Sequence, residues 1–155
     1  MTEIPRAAGV GVPPPVVFLG GLILGGIVNF FFSTPIWPGI WVQLLGVMIL
    51  VVGLSLFATT FRTLGRHKTS PEPWEPTTEL VQDGPYRFSR NPMYLSFALM
   101  YLGLSCVFNS LPALVLFVPV MMVVDRRQIL REERYLEVKF DGEYRDYTLR
   151  VRRWV

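Results

Sequence analysis

The chain has 155 residues, 51% of them hydrophobic and 17% charged, with a formal net charge of +3 and one cysteine. This composition is more apolar than that of an ordinary soluble domain, and a lone cysteine excludes a disulfide framework within the monomer. The small positive charge does not indicate nucleic-acid binding, because arginines at a membrane surface account for it.

Charged residues are absent from three long segments, residues 16–34, 39–61 and 94–124. A bilayer core is about 30 Å thick, and a helix needs about 20 apolar residues to cross it. The first two segments therefore each predict one membrane span.

The first span is rich in glycine, at Gly20, Gly21, Gly25 and Gly26. Small residues at such intervals let helix backbones approach closely in lipid. Neither of the first two spans carries a chemically reactive group, so both are predicted to be scaffold.

The third uncharged segment is too long for one span, since a straight helix over it would run about 46 Å. A break is predicted at Asn109 to Pro112, because Asn109 and Ser110 can cap a new helix and Pro112 is tolerated in a first turn. The sequence thus predicts a helical hairpin over residues 92–124, whose arms are spans three and four.

Four crossings would place the N-terminus, the loop 62–91 and the tail 125–155 on one side of the membrane. These segments hold all 15 Lys and Arg residues, and the positive-inside rule makes that side cytoplasmic. The predicted fold of residues 1–155 is a single all-α integral membrane domain with about four transmembrane helices and both termini cytoplasmic.

The loop 62–91 ends in a basic stretch that contains Arg87 and Arg90 and is followed by Asn91 and Pro92. Proline sets a first helical turn, so Asn91 is predicted as the N-cap of the third helix. The arginines suit either interfacial anchors for lipid headgroups or a binding site.

The tail continues the last span as an amphipathic helix. Ile129, Leu136 and Phe140 share one face with Glu133, and Glu132 borders that face. Two interpretations are open: the acids make ordinary helix pairs with nearby arginines, or they project into a polar cavity and meet a ligand with donors or positive charge.

Two stretches, LVQDGPYRFSRNPMY and EERYLEVKFDGEYRDYTLRV, flank the predicted hairpin. In this order they resemble the isoprenylcysteine carboxyl methyltransferase family and its phospholipid methyltransferase relatives, integral membrane enzymes that use S-adenosylmethionine. The family pattern is G-x-Y-x-x-x-R-H-P-x-Y, a hairpin, and then E-E-x-x-L-x-x-x-F-x-x-x-Y-x-x-Y, often with an arginine three residues later. The matching positions are Gly84, Tyr86, Arg90, Asn91, Pro92 and Tyr94, then Glu132, Glu133, Leu136, Phe140, Tyr144, Tyr147 and Arg150.

The resemblance implies a cytoplasmic S-adenosylmethionine pocket built from the loop before the hairpin and the C-terminal helix. It implies no metal. Asn91 departs from the family histidine and cannot titrate near neutral pH, so a positional role is expected for it. The implied cofactor-binding residues are Tyr86, Arg90, Asn91, Pro92, Tyr94 and, chiefly, Glu132.

The resemblance also implies a lipidic or prenylated acceptor that enters from the bilayer. A prenylcysteine carboxylate, the first expectation, would be oriented by Arg150 as a catalytic residue. A phospholipid amine, the alternative, would lose its proton to Glu133. Tyr144 and Tyr147 suit interface anchors equally well.

Two further alternatives stay open, a relative that binds the cofactor without turnover and a non-catalytic membrane scaffold. The short chain leaves room for a homo-oligomer in which a second subunit completes the substrate tunnel.

Overall fold

A computed structural model describes residues 11–70 and 77–155. The N-terminal ten residues and the centre of the predicted loop, residues 71–76, lie outside the described part. Every regular element in the described ranges is helical, so the all-α prediction is confirmed there. The elements are α1 Pro14–Phe32, α2 Trp41–Arg66, α3 Pro92–Val107, α4 Leu111–Val124 and α5 Leu130–Arg150, with a 3₁₀ turn at Gly84–Arg87 and a π-helical turn at Asp125–Ile129.

The helices α1 and α2, with 19 and 26 residues, are long and apolar enough to cross a membrane. Their outward faces expose large apolar side chains such as Leu19, Ile23 and Met48. A soluble protein would bury such residues, whereas lipid accepts them. These exposed faces indicate a membrane protein.

The arms of the hairpin are shorter. At about 1.5 Å per residue, the 16 residues of α3 and the 14 of α4 reach roughly 24 and 21 Å, less than the hydrocarbon thickness. Four complete crossings therefore stay a prediction.

The helix α2 lies along α3, and α1 packs mainly on α4. Glycines hold both contacts close. A Cβ on Gly46 would lie 2.7 Å from the carbonyl oxygen of Gly103, and one on Gly25 would lie 2.5 Å from the Cα of Ala113. The backbones of these pairs therefore touch, as membrane helices with small interface residues do.

The prediction that the four glycines of α1 allow close helix packing is confirmed for two of them. Gly21 and Gly25 face α3 and α4, whereas a Cβ on Gly20 or Gly26 would meet open space. Residues one position apart point about 100° apart on a helix, so all four cannot share one interface.

The turn between α3 and α4 falls at the predicted break. Ser110 caps α4, because its Oγ accepts a hydrogen bond from the backbone N–H of Ala113. Asn109 has a different role: its Oδ1 accepts from the N–H groups of Ile36 and Trp37, which ties this turn to the α1–α2 connection.

At the opposite end, α2 extends to Arg66 rather than to the predicted residue 61, because Thr63 and Leu64 keep one face buried. The chain continues from α4 through the π-helical turn into α5. The last residues then return to the start of α3, where the Arg90 N–H donates to the Arg152 carbonyl oxygen and Trp154 packs on the main core.

Candidate active site

A cavity of about 290 Å³ lies where the start of α1, the end of α2, the start of α3 and one side of α5 meet. One part of its wall is apolar, and the rest carries hydroxyl, carboxylate and guanidinium groups. The apolar lining includes Pro13, Pro14, Pro15, Phe57, Phe61, Leu64, Leu80, Val81, Met93, Phe97 and Leu136. The polar and tyrosine lining is Thr69, Ser70, Thr77, Glu79, Tyr86, Arg90, Tyr94, Glu132, Tyr144 and Tyr147.

Glu132 lies in the cavity wall, in the first turn of α5. Its Oε2 accepts a hydrogen bond of 3.0 Å from the Tyr94 hydroxyl on α3. The pKa of the Glu132 carboxyl is raised, chiefly by burial and in addition by the nearby charge of Glu133. The hydrogen bond from Tyr94 lowers this pKa and offsets part of the rise. A carboxylate in these surroundings gains from a cationic or hydroxyl-bearing partner.

Arg90 brings the opposite charge to the same cavity. Its side chain is 16% exposed, and one terminal nitrogen lies 3.3 Å from Glu133 Oε1. Its buried Nε has no hydrogen-bond partner within the described residues. A buried guanidinium nitrogen without a partner is costly, so this atom is suited to a ligand oxygen.

Four tyrosines surround the two charges. The Tyr147 hydroxyl donates to the Tyr86 carbonyl oxygen at 2.7 Å, which fixes α5 against the 3₁₀ turn. Burial raises the pKa of Tyr144 to about 12, and it raises the pKa values of Tyr86 and Tyr147 further above their ordinary range. All three hydroxyls therefore remain neutral donors near pH 7.

Glu133 points away from the cavity. Arg153 donates to it through two nitrogens, with Nη2 at 2.6 Å from Oε2 and Nε at 3.2 Å from Oε1. Arg153 also lies 3.5 Å from Asp125, which closes a network of two arginines and two acids. Glu133 thus forms ion pairs, but with arginines outside α5 and not the ordinary helix pairs of the first interpretation. Glu132 lies in the cavity wall, in line with the second interpretation.

Asn91 and Pro92 are buried beside the cavity without lining it. Asn91 occupies the N-cap position of α3, as predicted, but its side chain makes no capping hydrogen bond; its Nδ2 donates to the Arg153 carbonyl oxygen at 3.2 Å. Asn91 therefore holds the C-terminal residues against the start of α3. Pro92, at the first position of α3, is fully buried.

Arg150 lies on the exposed end of α5, where it donates to the Gln82 side chain at 2.9 Å and to the Asp146 carbonyl oxygen. It is not part of the cavity wall. The structure thus brings Tyr86, Arg90, Tyr94 and Glu132 together and leaves Asn91, Pro92, Glu133 and Arg150 outside the lining.

Three parts of this wall were not predicted from the sequence: Glu79 and Thr77 in the loop, the prolines at the start of α1, and the aromatic end of α2. Tyr144 and Tyr147 also line the cavity. Both tyrosines pack with Leu136 and Phe140, but α5 is kinked at Asp141 between the two pairs, with φ 38° and ψ −110°, so regular helical spacing alone does not place them together. No local pattern marks Glu79, because its place depends on how the loop folds back over α2.

No cluster of metal ligands occurs in residues 11–70 and 77–155. The donor set is one of carboxylate, guanidinium and phenol groups around an aromatic cavity, in a protein with membrane-compatible helices. Such a set suits a small zwitterionic ligand at a membrane surface.

Residues 41–143 match the phospholipid methyltransferase family, and the match runs from the first residue of α2 through about two thirds of α5. The family match, together with the apolar helices, therefore indicates a membrane methyltransferase. The chain belongs to the phospholipid methyltransferase family. It is also similar to an uncharacterized protein of Haemophilus influenzae, with 41% identity over 63 residues, which is 41% of this chain and all of that relative. No solved structure matches the chain.

Proposed function

We propose that this protein transfers a methyl group from S-adenosylmethionine to a lipidic acceptor in the bilayer. The observation that carries the proposal is the pair of opposite charges, Glu132 and Arg90, on the wall of one tyrosine-lined cavity. Family membership supplies the reaction class, and the charge pair supplies a site for the methyl donor.

The residues present fit the donor chemically. The Glu132 carboxylate suits the amino group or the ribose hydroxyls, and the unpartnered Arg90 Nε suits the carboxylate of the amino acid moiety. The rings of Tyr86, Tyr144 and Tyr147 suit stacking on the adenine and cation–π contact with the sulfonium.

Bound there, S-adenosylmethionine supplies an electrophilic methyl group. The chain's part is to hold donor and acceptor in line and to exclude water, which can supply most of the acceleration of a displacement reaction. The apolar wall formed by Phe57, Phe61 and Phe97 suits the hydrocarbon part of the acceptor.

A phospholipid amine is the favoured acceptor. The matched family acts on phospholipids, and the described wall carries two carboxylates, Glu79 and Glu132, against one arginine. The prenylcysteine carboxylate is the second candidate, because Arg90 presents a guanidinium to the cavity. Arg150, expected to orient that carboxylate, lies on the exposed end of α5.

The same proposal includes the predicted topology, with both termini and the cavity on the cytoplasmic side. The charge bias supports it, because the two candidate spans and the hairpin are almost free of charge and the segments around the cavity are basic.

Calorimetric titration of S-adenosylmethionine into the detergent-purified protein tests the donor site. We expect saturable binding that Glu132→Gln weakens at least about tenfold, since a hydrogen bond to a charged group contributes about 1.5–3 kcal/mol. Glu137→Gln, an exposed acid of the same helix that contacts Arg145, is the matched control and should bind as the wild type does.

Absence of binding by the folded wild-type protein, repeated in lipid nanodiscs, would overturn the proposal. If binding occurs, labelled methyl transfer to phosphatidylethanolamine and to a prenylcysteine separates the two acceptors.

A further inference from the structure

The single histidine of the chain, His67, lies just after α2 between two carboxylates. Its Nδ1 is 3.1 Å from Glu79 Oε1, and its Nε2 is 3.0 Å from Asp83 Oδ1. Glu79 lines the cavity and has a side chain that is 56% exposed, whereas Asp83, with a side chain that is 57% exposed, is not part of the lining. The imidazole therefore links a carboxylate of the cavity wall to one outside it. Both nitrogens donate only when the ring is protonated; in the neutral ring, Nε2 donates to Asp83 and Nδ1 can accept a proton from Glu79.

Hydrogen bonds hold the described residues of the loop after α2 in place on both sides of Glu79. The hydroxyls of Thr69 and Thr78 are 2.9 Å apart, and Thr78 donates to the Lys68 carbonyl oxygen. On the other side, the Thr77 N–H donates to the Tyr135 hydroxyl of α5. These bonds hold Glu79, which follows Thr78 in the chain, near the end of α2 and near α5.

Three acids at or near the cavity, Glu79, Glu132 and Glu133, have different partners. Glu133 is neutralised by Arg153 and Arg90, and Glu132 accepts from Tyr94 at the place assigned to the methyl donor. Among the described residues of the cavity wall, Glu79 is the carboxylate that remains for the acceptor.

We propose that Glu79 takes the proton of an acceptor amine and that His67 passes it on toward Asp83 and solvent. The inference rests on the proposed function with an amine acceptor. Glu79 would touch the substrate and act as the base, while His67 and Asp83 are positioning and proton-carrying residues.

The ammonium N–H bond breaks and its proton moves to the Glu79 carboxylate, which leaves a lone pair on nitrogen. That pair forms the new N–C bond as the methyl carbon's bond to sulfur breaks, and sulfur leaves as a neutral thioether. The proton passes to Nδ1 of neutral His67, while the proton on Nε2 leaves through Asp83.

This route requires a neutral imidazole. Two hydrogen bonds raise the pKa of His67 above its ordinary 6.5. The bond to Asp83 has the larger effect, and the bond to Glu79 has the next largest. The other charged and titratable groups that face this corner are Arg90, Glu132, Tyr86, Tyr144 and Tyr147 across the cavity. Turnover of an amine acceptor should therefore fall as the pH decreases through a value above 6.5.

Kinetics with phosphatidylethanolamine test the base. Glu79→Gln is expected to lower kcat/KM about 100-fold, since a positioned base contributes about 10²–10⁴-fold. His67→Gln should remove the acid limb of the pH profile. Glu137→Gln again serves as the control, and donor affinity should be unchanged in all three variants.

A second readout is independent of turnover. As the only histidine, His67 gives one imidazole resonance by NMR in a tag-free protein, so its pKa can be measured directly. Dodecylphosphocholine, a probe with a trimethylammonium group, is added to maltoside micelles. It should lower the His67 pKa in the wild type by competing for Glu79, and it should leave the pKa unchanged in Glu79→Gln.

The outcomes separate this inference from the proposed function. If the wild type binds the donor and methylates the amine while Glu79→Gln keeps its rate and pH profile, only the inference is overturned. Equal probe-induced shifts in the two proteins, or turnover of carboxylate acceptors alone, would overturn it as well. Failure of the wild type to bind the donor would instead remove the proposed function.

Discussion

Glu132 and Glu133 are neighbours in the chain, but a helix turns successive side chains about 100° apart. Glu132 consequently reaches the cavity and Tyr94, while Glu133 reaches Arg153 and Arg90. The predicted base role of Glu133 would require it to give up both ion pairs. Loss of one partner in a buried pair costs about 3–5 kcal/mol, so this arrangement favours a structural role.

The raised pKa of Glu132 has a consequence for stability. Below the unfolded-state pKa, near 4.5, the group is protonated in both states and costs nothing. As the pH rises through the higher folded-state pKa, the unfolded state releases its proton more readily, so the free energy of unfolding falls. Thermal unfolding in detergent between pH 4.5 and 8 should show this decline in the wild type.

Glu132→Gln resembles the protonated acid and should remove that decline, so the variant becomes the more stable protein at pH 7–8. Parallel pH profiles for the two proteins would contradict the assignment. The affinity for a cationic ligand group should change in the opposite sense, rising with pH as Glu132 ionises.

The packing of α1 on α4 selects which glycines of α1 make close contacts. Helical spacing predicted that some glycines would face another helix, but it could not choose among the four. The packing of α1 on α4 makes the choice, since Gly25 touches Ala113 and Gly26 faces outward.

Gly25→Ala should therefore destabilise the protein by about 1–3 kcal/mol, because the new methyl group would overlap the Ala113 backbone. Gly26→Ala lies next to it in the same helix and should have almost no effect. The midpoints of thermal unfolding in matched detergent measure the difference. Equal midpoints for the two variants would show that α1 and α4 do not pack in this way.

Contacts between residues far apart in the sequence hold the C-terminal residues against the rest of the molecule. The C-terminal residues 151–155 lie against the segment before α3: Ser89 and Asn91 donate to the Arg153 carbonyl oxygen, and the Arg153 side chain pairs with Glu133. The chain thus ends on residues that also position Arg90 in the cavity.

Deletion of residues 151–155 should lower the free energy of unfolding by about 3 kcal/mol or more, because it removes one partner of a half-buried ion-pair network. It should also weaken donor binding, since Arg90 loses the backbone contact that holds it. Deletion of the exposed Val155 alone is the control and should change neither property. Unfolding curves and calorimetry on the three proteins check this, and an unaltered truncated protein would refute it.

The helical class, the break before Pro112, the membrane character and the family could be predicted from the sequence, because these depend on periodicity, uncharged length and local motif spacing. The family resemblance also pointed to four residues that line the cavity, Tyr86, Arg90, Tyr94 and Glu132. Long-range packing was needed to show which of two adjacent glutamates faces the cavity, that the C-terminal residues hold Arg153 against Glu133, and that Glu79 contacts His67. Such choices depend on the packing angle of α5 and on how the loop folds back over α2. Contacts between residues about 20 to 60 positions apart set that geometry, and no local pattern encodes it.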